Sequence, residues 1–276
     1  MASRFLLCSP DHFDAPLEDG PQSPRGRTPD LEASWNTWWQ LVADLRELGA
    51  EVHHFPSRRG RPDMVFPGDH ALVDGDRFLR AEPRDPARRD SATDGVDWLL
   101  RRGFTELPWP ADEPEAFHSG DAVGFAGVLV CGTGARTSSR AARRAGRTLD
   151  VETVTVPLAD PRLPGLDLCF LPLDDRRALY APDALSAEGR RRIERLVPEP
   201  IMITLDEALR FCANSVVVGD TVVMPVCPPR VEQVLREQGF AVRVSPVDEF
   251  LGAGGGVRSM ALNLDVLERR VPAVAR

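Results

Sequence analysis

Residues 64–80 are MVFPGDHALVDGDRFLR, in which apolar and polar residues alternate around the pair Asp74-Gly75. Alternation with a period of two predicts β-strands, and Asp-Gly between two such runs predicts a tight hairpin turn. Similar paired runs follow at residues 121–132, 167–182 and 215–225. Residues 4–8 (RFLLC) and 257–264 (VRSMALNL) can form a fifth pair only if the two ends of the chain meet. The sequence therefore predicts five hairpin units, the last one joined across the chain ends.

Helical patterns separate these paired runs. They cover residues 35–48, 94–102, 135–147, 186–196, 205–212 and 230–238. Gly49, Gly103 and Gly239 each follow one of them and are placed as helix C-terminal stops. Repetition at about 45 to 55 residues indicates a pseudo-symmetric array of supersecondary units. We expect a single α/β domain over residues 1–276, a ring of five units around a central cavity, with the Pro- and Gly-rich residues 10–30 as a flexible flap loop.

Composition excludes several classes of function. The net charge of -8 disfavours nucleic acid as a main partner, because phosphate binding needs a basic surface. No apolar run approaches the roughly 18 residues of a membrane span, and the N-terminal apolar stretch is too short for a signal peptide. Five cysteines without a CxxC pair predict reduced thiols, a cytoplasmic location and no metal or other cofactor. The absence of lysine excludes a Schiff-base lysine and a Walker A loop.

A set of sequence strings, taken in order, carries a family resemblance. They are LCSPDHFD (7–14), PDMVFPGDHALV (62–73), GDAV (120–123), GTGARTS (132–138), DPRLPGLDLCFLPL (160–173), ANSVVVG (213–219) and EFLGAGGGVRSMALNL (249–264). Over nearly the whole chain they resemble the dimethylarginine dimethylaminohydrolases of the pentein superfamily, which also holds arginine deiminases and amidinotransferases. The resemblance implies a five-bladed ββαβ propeller around a polar channel, in agreement with the five units counted above.

The resemblance also implies a chemistry. Family members attack a guanidinium carbon with a thiolate, move protons with a histidine and hold the cationic nitrogens with carboxylates. It places Asp69 and Asp167 on acids of this site, and Arg136 on an arginine that serves either the substrate carboxylate or the framework. The glycine run supplies Gly255 and Gly256, whose backbone N–H groups are candidate ligand donors.

Three positions depart from the family pattern. Ser259 stands where the family has its catalytic cysteine, Gly165 where it has its histidine, and His118 where it has a glutamate. A serine hydroxyl without a base is barely nucleophilic at neutral pH. His118 is the candidate base, with Asp121 or Asp167 orienting its imidazole. The alternative is that Ser259 and His118 are passive fillers of a decayed pocket.

Three hypotheses on function follow. The first is an enzyme repurposed for non-thiol chemistry on arginine or a related guanidino, amidino or amino acid compound, with His118 and Ser259 as catalytic residues. The second is a catalytically inactive protein that binds such a ligand or a protein partner. The third is the family's own hydrolase or amidinotransferase chemistry on a C–N bond. In each, Asp69 and Asp167 hold the ligand's cation, unless they pair internally with Arg136 or Arg258. The resemblance is also compatible with a homodimer.

Overall fold

Each predicted hairpin is a pair of antiparallel strands in the structure, a computed structural model that describes residues 3–13, 28–109 and 115–265. The strands, in chain order, are β1 Arg4–Ser9, β2 Glu51–Pro56, β3 Ala71–Asp74, β4 Arg77–Arg80, β5 Thr105–Glu106, β6 Ala122–Phe125, β7 Val128–Thr133, β8 Thr153–Pro157, β9 Phe170–Pro172, β10 Arg177–Tyr180, β11 Glu199–Met202, β12 Val216–Val218, β13 Thr221–Met224, β14 Ala241–Val244 and β15 Leu262–Asn263.

Helices separate the strands, as the sequence predicts. The α-helices are α1 Leu31–Glu47, α2 Pro86–Arg101, α3 Ser139–Leu149, α4 Ala187–Leu196, α5 Leu205–Leu209, α6 Pro229–Glu237, α7 Asp248–Gly252 and α8 Val257–Met260. Short 3₁₀ helices cover Pro62–Val65, Pro67–Asp69, Ser119–Asp121, Leu166–Leu168 and Pro182–Ala184. Gly49, Gly103 and Gly239 adopt φ angles of 89°, 86° and 85°, which confirms their prediction as helix stops.

The strands form five three-stranded sheets of one design, which we call blades. The sheets are β3-β4-β5, β6-β7-β8, β9-β10-β11, β12-β13-β14 and β15-β1-β2. In each, the first strand runs antiparallel to the second, and a helix carries the chain to a third strand parallel to the second. In the last blade Leu6 pairs with Leu262, so the two ends of the chain meet as expected. The predicted five-bladed ββαβ α/β-propeller is confirmed.

The first strands of the five blades surround one axis. Together with Arg258 they line a cavity of about 160 Å³, to which every blade contributes residues. The helices lie outside and bury apolar side chains against the sheets. In α1, for example, Trp38, Leu41 and Leu45 are buried together with Phe5 of β1, and each such side chain stabilises the fold by about 1.5–3 kcal/mol.

Two of the differences between the predicted and observed helix boundaries bear on the site. Helix α2 begins at Pro86, eight residues earlier than expected, because Asp85 caps it by accepting a hydrogen bond from the backbone N–H of Ala87. Helix α3 begins at Ser139 because Ser138 caps it. The GARTS segment is therefore a loop, which brings Arg136 close to Asp167.

The C-terminal run 257–264 also differs from the prediction. It is not one strand, but the short helix α8 followed by the two residues of β15. Most of the predicted flap, residues 14–27, lies outside the described residues. No helix of the described ranges combines the length and apolarity that crossing a bilayer requires.

Candidate functional site

Each blade places one polar side chain just before its first strand. These residues are Asp69, Asp121, Asp167, Asn214 and Ser259. The 3₁₀ helix of Asp69 contacts the 3₁₀ helix of Asp121 and also helix α8, which carries Ser259. The 3₁₀ helix of Asp121 contacts the 3₁₀ helix of Asp167. The repeat therefore brings together three carboxylates, an amide and a hydroxyl from five separated parts of the sequence.

Asn214 connects the members of this group. Its Oδ1 accepts hydrogen bonds from the backbone N–H groups of Gly256 at 3.0 Å and Ser259 at 3.2 Å. Its Nδ2 donates to Asp167 Oδ2 at 2.9 Å and to Ser259 Oγ at 3.2 Å. Asn214 was not among the site residues predicted from the sequence. The available signal was its place in ANSVVVG, directly ahead of a first strand, where the other blades carry aspartate or serine.

Asp167 is paired internally. Its side chain is buried, and its Oδ1 lies 3.6 Å from Arg136 Nη1. This is one of the two internal pairings considered from the sequence. Arg258 instead donates through Nη2 to the backbone carbonyls of Gly120 at 3.2 Å and Ala122 at 3.0 Å.

Of the three carboxylates of the site, Asp69 has the fewest hydrogen-bond partners among the described residues. Its Oδ1 is buried and makes no hydrogen bond within the described part of the chain. Its Oδ2 lies 3.7 Å from His118 Nε2. Burial raises the pKa of Asp69, against the opposing effect of the Arg136 and Arg88 guanidinium groups. The ionised form of this carboxyl group is therefore stable only if a hydrogen-bond donor or a cation lies next to it.

His118 is buried next to Asp69. Burial, and then the positive charge of Arg136, lower the pKa of His118 well below its usual value, so the imidazole is neutral. Its Nδ1 has no hydrogen-bond partner among the described residues. The Ser259 hydroxyl hydrogen-bonds to Asn214, and in the described structure His118 makes no hydrogen bond to it. The predicted Ser259–His118 contact is therefore absent from this arrangement.

Asp121 has a different role from the one expected. Its Oδ2 accepts a hydrogen bond from Thr137 Oγ1 at 2.6 Å and its Oδ1 accepts one from the backbone N–H of Leu166 at 3.0 Å. Thr137 Oγ1 in turn accepts from the backbone N–H of His118 at 3.0 Å. Asp121 therefore fixes the backbone near His118 and Leu166. Each of its oxygens accepts an internal hydrogen bond, and among the described residues neither is bonded to the His118 imidazole.

Gly255 and Gly256 were expected to offer backbone N–H groups to a ligand, and the structure shows another role. Their N–H groups are used internally, that of Gly255 by the Phe250 carbonyl at 3.2 Å and that of Gly256 by Asn214. A Cβ atom at Gly255 would lie 2.3 Å from Cε1 of Phe66. The glycines are required by close packing around the site, and their N–H groups are not ligand donors in this arrangement.

The cysteines offer no substitute nucleophile. All five are free thiols. The one nearest the site, Cys169, is buried with its Sγ 3.7 Å from the backbone carbonyl of Gly165. Burial raises the pKa of the Cys169 thiol, and the carboxylate of Asp167 raises it further. A protonated thiol is a poor nucleophile, so Cys169 does not replace a family cysteine.

A small cavity of about 20 Å³ adjoins Asp69 and His118. Its remaining lining residues are Asp63, Phe66, His70, Pro83, Arg88 and Ser91. Arg88 comes from α2, and its Nη1 lies 3.5 Å from His118 Nε2. Sequence reasoning missed it, because α2 was predicted to begin after it. Burial lowers the pKa of His70 to about 3, so this imidazole is also neutral.

Metal binding finds no support in this geometry. Among the described residues there is no group of three or more His, Cys, Asp or Glu side chains arranged to hold a metal ion. Arg136, Arg88 and Arg258 also contribute positive charge to this region, which disfavours a further cation of high charge density.

Comparison with known proteins relates the chain to arginine-processing proteins. No protein-family model matches it. It is 31% identical to the bifunctional arginine dihydrolase/ornithine cyclodeaminase ArgZ of Synechocystis sp., over 95% of this chain and 37% of ArgZ. The chain thus spans little more than a third of that relative. It is 26% identical to the dimethylarginine dimethylaminohydrolase of Mycobacterium tuberculosis, over 95% of this chain and 85% of that protein.

Solved structures agree with these relatives. The N-terminal domain of ArgZ, as a cysteine-to-serine mutant bound to substrate, superposes with a TM-score of 0.89 and 31% identity, covering 95% of this chain and 98% of that one. The dimethylarginine dimethylaminohydrolase of Pseudomonas aeruginosa, a cysteine-to-serine mutant complexed with citrulline, superposes with a TM-score of 0.79. This superposition covers 95% of this chain and 99% of the other. Because the two sequences are only 21% identical, it is evidence for a shared fold alone.

Proposed function

Because the chain belongs to the pentein superfamily, we propose that it recognises arginine or a related guanidino, amidino or amino acid compound at the site formed by Asp69 and Asp167. One observation carries this proposal. Asp69 Oδ1 and Asp167 Oδ1 are buried and make no hydrogen bond within the described part of the chain. Buried carboxylate oxygens need donors, and a guanidinium group supplies five N–H donors in one plane.

The same geometry argues against thiolate chemistry. Ser259 is hydrogen-bonded to Asn214 rather than to a base, and the nearby thiol of Cys169 is protonated. The ArgZ structure that holds substrate carries a cysteine-to-serine replacement. We propose that Ser259 places this chain in a comparable state, able to hold a ligand without forming a covalent thiouronium intermediate.

His118 favours a second candidate, an enzyme repurposed for non-thiol chemistry. Its imidazole is neutral and its Nδ1 has no hydrogen-bond partner among the described residues, so Nδ1 can accept a hydrogen bond from a ligand N–H. Because its pKa is lowered, it takes up a proton only where a negative charge stabilises the imidazolium. Asp69, 3.7 Å from its Nε2, is placed to stabilise the imidazolium that would form. The reaction would be a hydrolase- or transferase-type step at a C–N bond, or a lyase or isomerase step, with His118 as acid and base.

Calorimetric titration with L-arginine tests the first candidate. We expect micromolar binding, weakened at least about tenfold by Asp69→Asn or Asp167→Asn, because each removes a charge that holds the cation. Asp220→Asn, in the turn between β12 and β13, is the matched control and should bind like the wild type. No heat of binding at millimolar arginine would overturn the proposal.

Product analysis tests the second candidate. The wild-type protein is incubated with arginine, methylarginines and agmatine, and citrulline, other ureido products and released amines are measured. Turnover that His118→Ala abolishes would support the repurposed enzyme. Binding without turnover would favour a catalytically inactive protein.

The location and assembly of the chain remain proposals. We propose that residues 1–276 form one domain, that the protein is cytoplasmic, and that it assembles as a homodimer. Light scattering coupled to size-exclusion chromatography would measure the mass in solution, and a monomer at all concentrations would reject the dimer.

A further inference from the structure

Arg136 and Asp167 form a loose contact at the centre of the site. Their closest atoms, Arg136 Nη1 and Asp167 Oδ1, are 3.6 Å apart, beyond hydrogen-bonding distance. The side chain of Asp167 is 3% exposed and that of Arg136 is 22% exposed. The guanidinium group therefore neutralises the charge of a buried carboxylate without hydrogen-bonding to this oxygen, and its own side chain reaches solvent.

Gly165 makes this contact possible. A Cβ atom at Gly165 would lie 2.3 Å from Asp167 Oδ1 and 2.6 Å from Arg136 Nη1, closer than non-bonded atoms approach. The backbone of Gly165 has φ -128° and ψ 149°, which any residue can adopt. The glycine is thus required by space and not by backbone conformation. The Arg136 guanidinium fills the volume that a side chain at Gly165 would take.

We propose that Arg136 is an internal competitor for the ligand's cationic group, occupying the place beside Asp167 until a ligand displaces it. This inference rests on the proposed function, which assigns that place to the cation of an arginine-like ligand. Two cations against one buried carboxylate repel each other, so the ligand cation and the Arg136 guanidinium exclude one another there. A guanidinium that does not hydrogen-bond to Asp167 Oδ1, on a partly exposed side chain, is able to move aside.

Displacement of the Arg136 guanidinium by the ligand determines which ligands the pocket prefers. Once moved, Arg136 has lost its contact with Asp167 and gains from a new anionic partner. A ligand with its own carboxylate can provide that partner, whereas a ligand with only a cationic group cannot. The site therefore discriminates against agmatine, the analogue of arginine that lacks the carboxylate.

The experiment compares arginine and agmatine in the wild-type protein and in Arg136→Gln. Glutamine keeps a polar side chain but removes the competing charge. We expect agmatine to bind at least about tenfold more tightly to Arg136→Gln than to the wild type, while the affinity for arginine gains less or falls. The preference for arginine over agmatine should therefore shrink.

Gly165→Ala provides an independent variant that keeps Arg136. The added methyl group would lie 2.3 Å from Asp167 Oδ1, in the place that the ligand cation takes, so both arginine and agmatine should bind this variant more weakly than the wild type. Gly134→Ala is the matched control in the loop that carries Arg136, because a Cβ there meets only Leu158 Cβ at 3.8 Å. Thermal unfolding of each variant establishes that the protein is folded before binding is compared.

The outcomes separate this inference from the proposed function. Agmatine affinity that is unchanged or lower in folded Arg136→Gln, while the wild type binds arginine, overturns the competitor role and leaves the proposed function intact. Agmatine binding that appears only in Arg136→Gln supports the competitor role. Failure of the wild type and of folded Arg136→Gln to bind either compound overturns both.

Discussion

The side-chain oxygen of Asn214 accepts a hydrogen bond from the backbone N–H of Ser259 at 3.2 Å, and the Asn214 amide also contacts the Ser259 hydroxyl. These two residues are 45 positions apart in the chain and belong to neighbouring blades. The same amide bonds to Asp167 and Gly256. One buried side chain thus fixes the candidate nucleophile position, a carboxylate and the glycine turn relative to each other.

Replacing Asn214 by alanine should destabilise the protein. Two backbone N–H groups and one oxygen of Asp167 lose their partner inside the protein, and we expect the free energy of unfolding to fall by about 2–4 kcal/mol. Urea denaturation measures the change. Gln233→Ala is the control, since this exposed glutamine bonds only to Glu237 on its own helix in the described structure. A loss below about 1 kcal/mol for Asn214→Ala would contradict the connecting role.

The stability of the protein should depend on pH through Asp121. Burial raises the pKa of Asp121 to about 7, with Arg136 opposing the shift. Between about pH 4, where the unfolded carboxyl ionises, and about pH 7, the folded state holds more protons than the unfolded state. The contribution of Asp121 to the free energy of unfolding therefore falls as the pH rises through this window, and is level above it.

Asp121→Asn removes this contribution because an amide does not ionise. Urea denaturation at several pH values should show a shallower decline for the variant, by on the order of 2–4 kcal/mol across the window. Asp206→Asn, an exposed position in α5, should retain the wild-type decline. Parallel curves for wild type and Asp121→Asn would show that Asp121 is ionised in the folded protein throughout.

Restoring the family residues should not restore thiol chemistry. In Ser259→Cys/Gly165→His the imidazole has to enter the space held by Arg136 and Asp167, so we expect a less stable protein and no citrulline from arginine. Thermal unfolding and citrulline analysis test this, with Ser259→Cys/Gly134→Ala as the matched control for stability. Citrulline formation by the first double variant would show that Arg136 moves away easily to make room for the imidazole and that the family pocket is intact.

Gly255→Ala should destabilise through packing alone. The added Cβ would lie 2.3 Å from Cε1 of Phe66, and relieving this overlap costs about 1–3 kcal/mol. Gly134→Ala, whose Cβ would make only an ordinary contact with Leu158 Cβ at 3.8 Å, should change the unfolding temperature little. Equal unfolding temperatures for the two variants would mean that Phe66 can move aside without cost.

Local patterns were sufficient to predict the blades. Strand alternation and turns such as Asp74-Gly75 depend only on neighbouring residues, so they can be predicted from the sequence. The predicted hairpin agrees with strands β3 and β4. The start of α2 was missed because its cap, Asp85, precedes a polar first turn without apolar periodicity. That error removed Arg88 from consideration, although it lies beside His118.

The sequence by itself determined the repeating ββαβ unit, the ring of five, and the presence of Asp69, Asp167, His118 and Ser259 at the ends of the repeats. Only the tertiary structure decided which of these side chains meet. Ser259 hydrogen-bonds to Asn214 and not to His118. Asp167 lies next to Arg136, in space that is open because Gly165 has no side chain. The reason is physical: hairpins and helix stops are set by short-range backbone preferences, whereas contacts between blades depend on how five rigid units close into one ring.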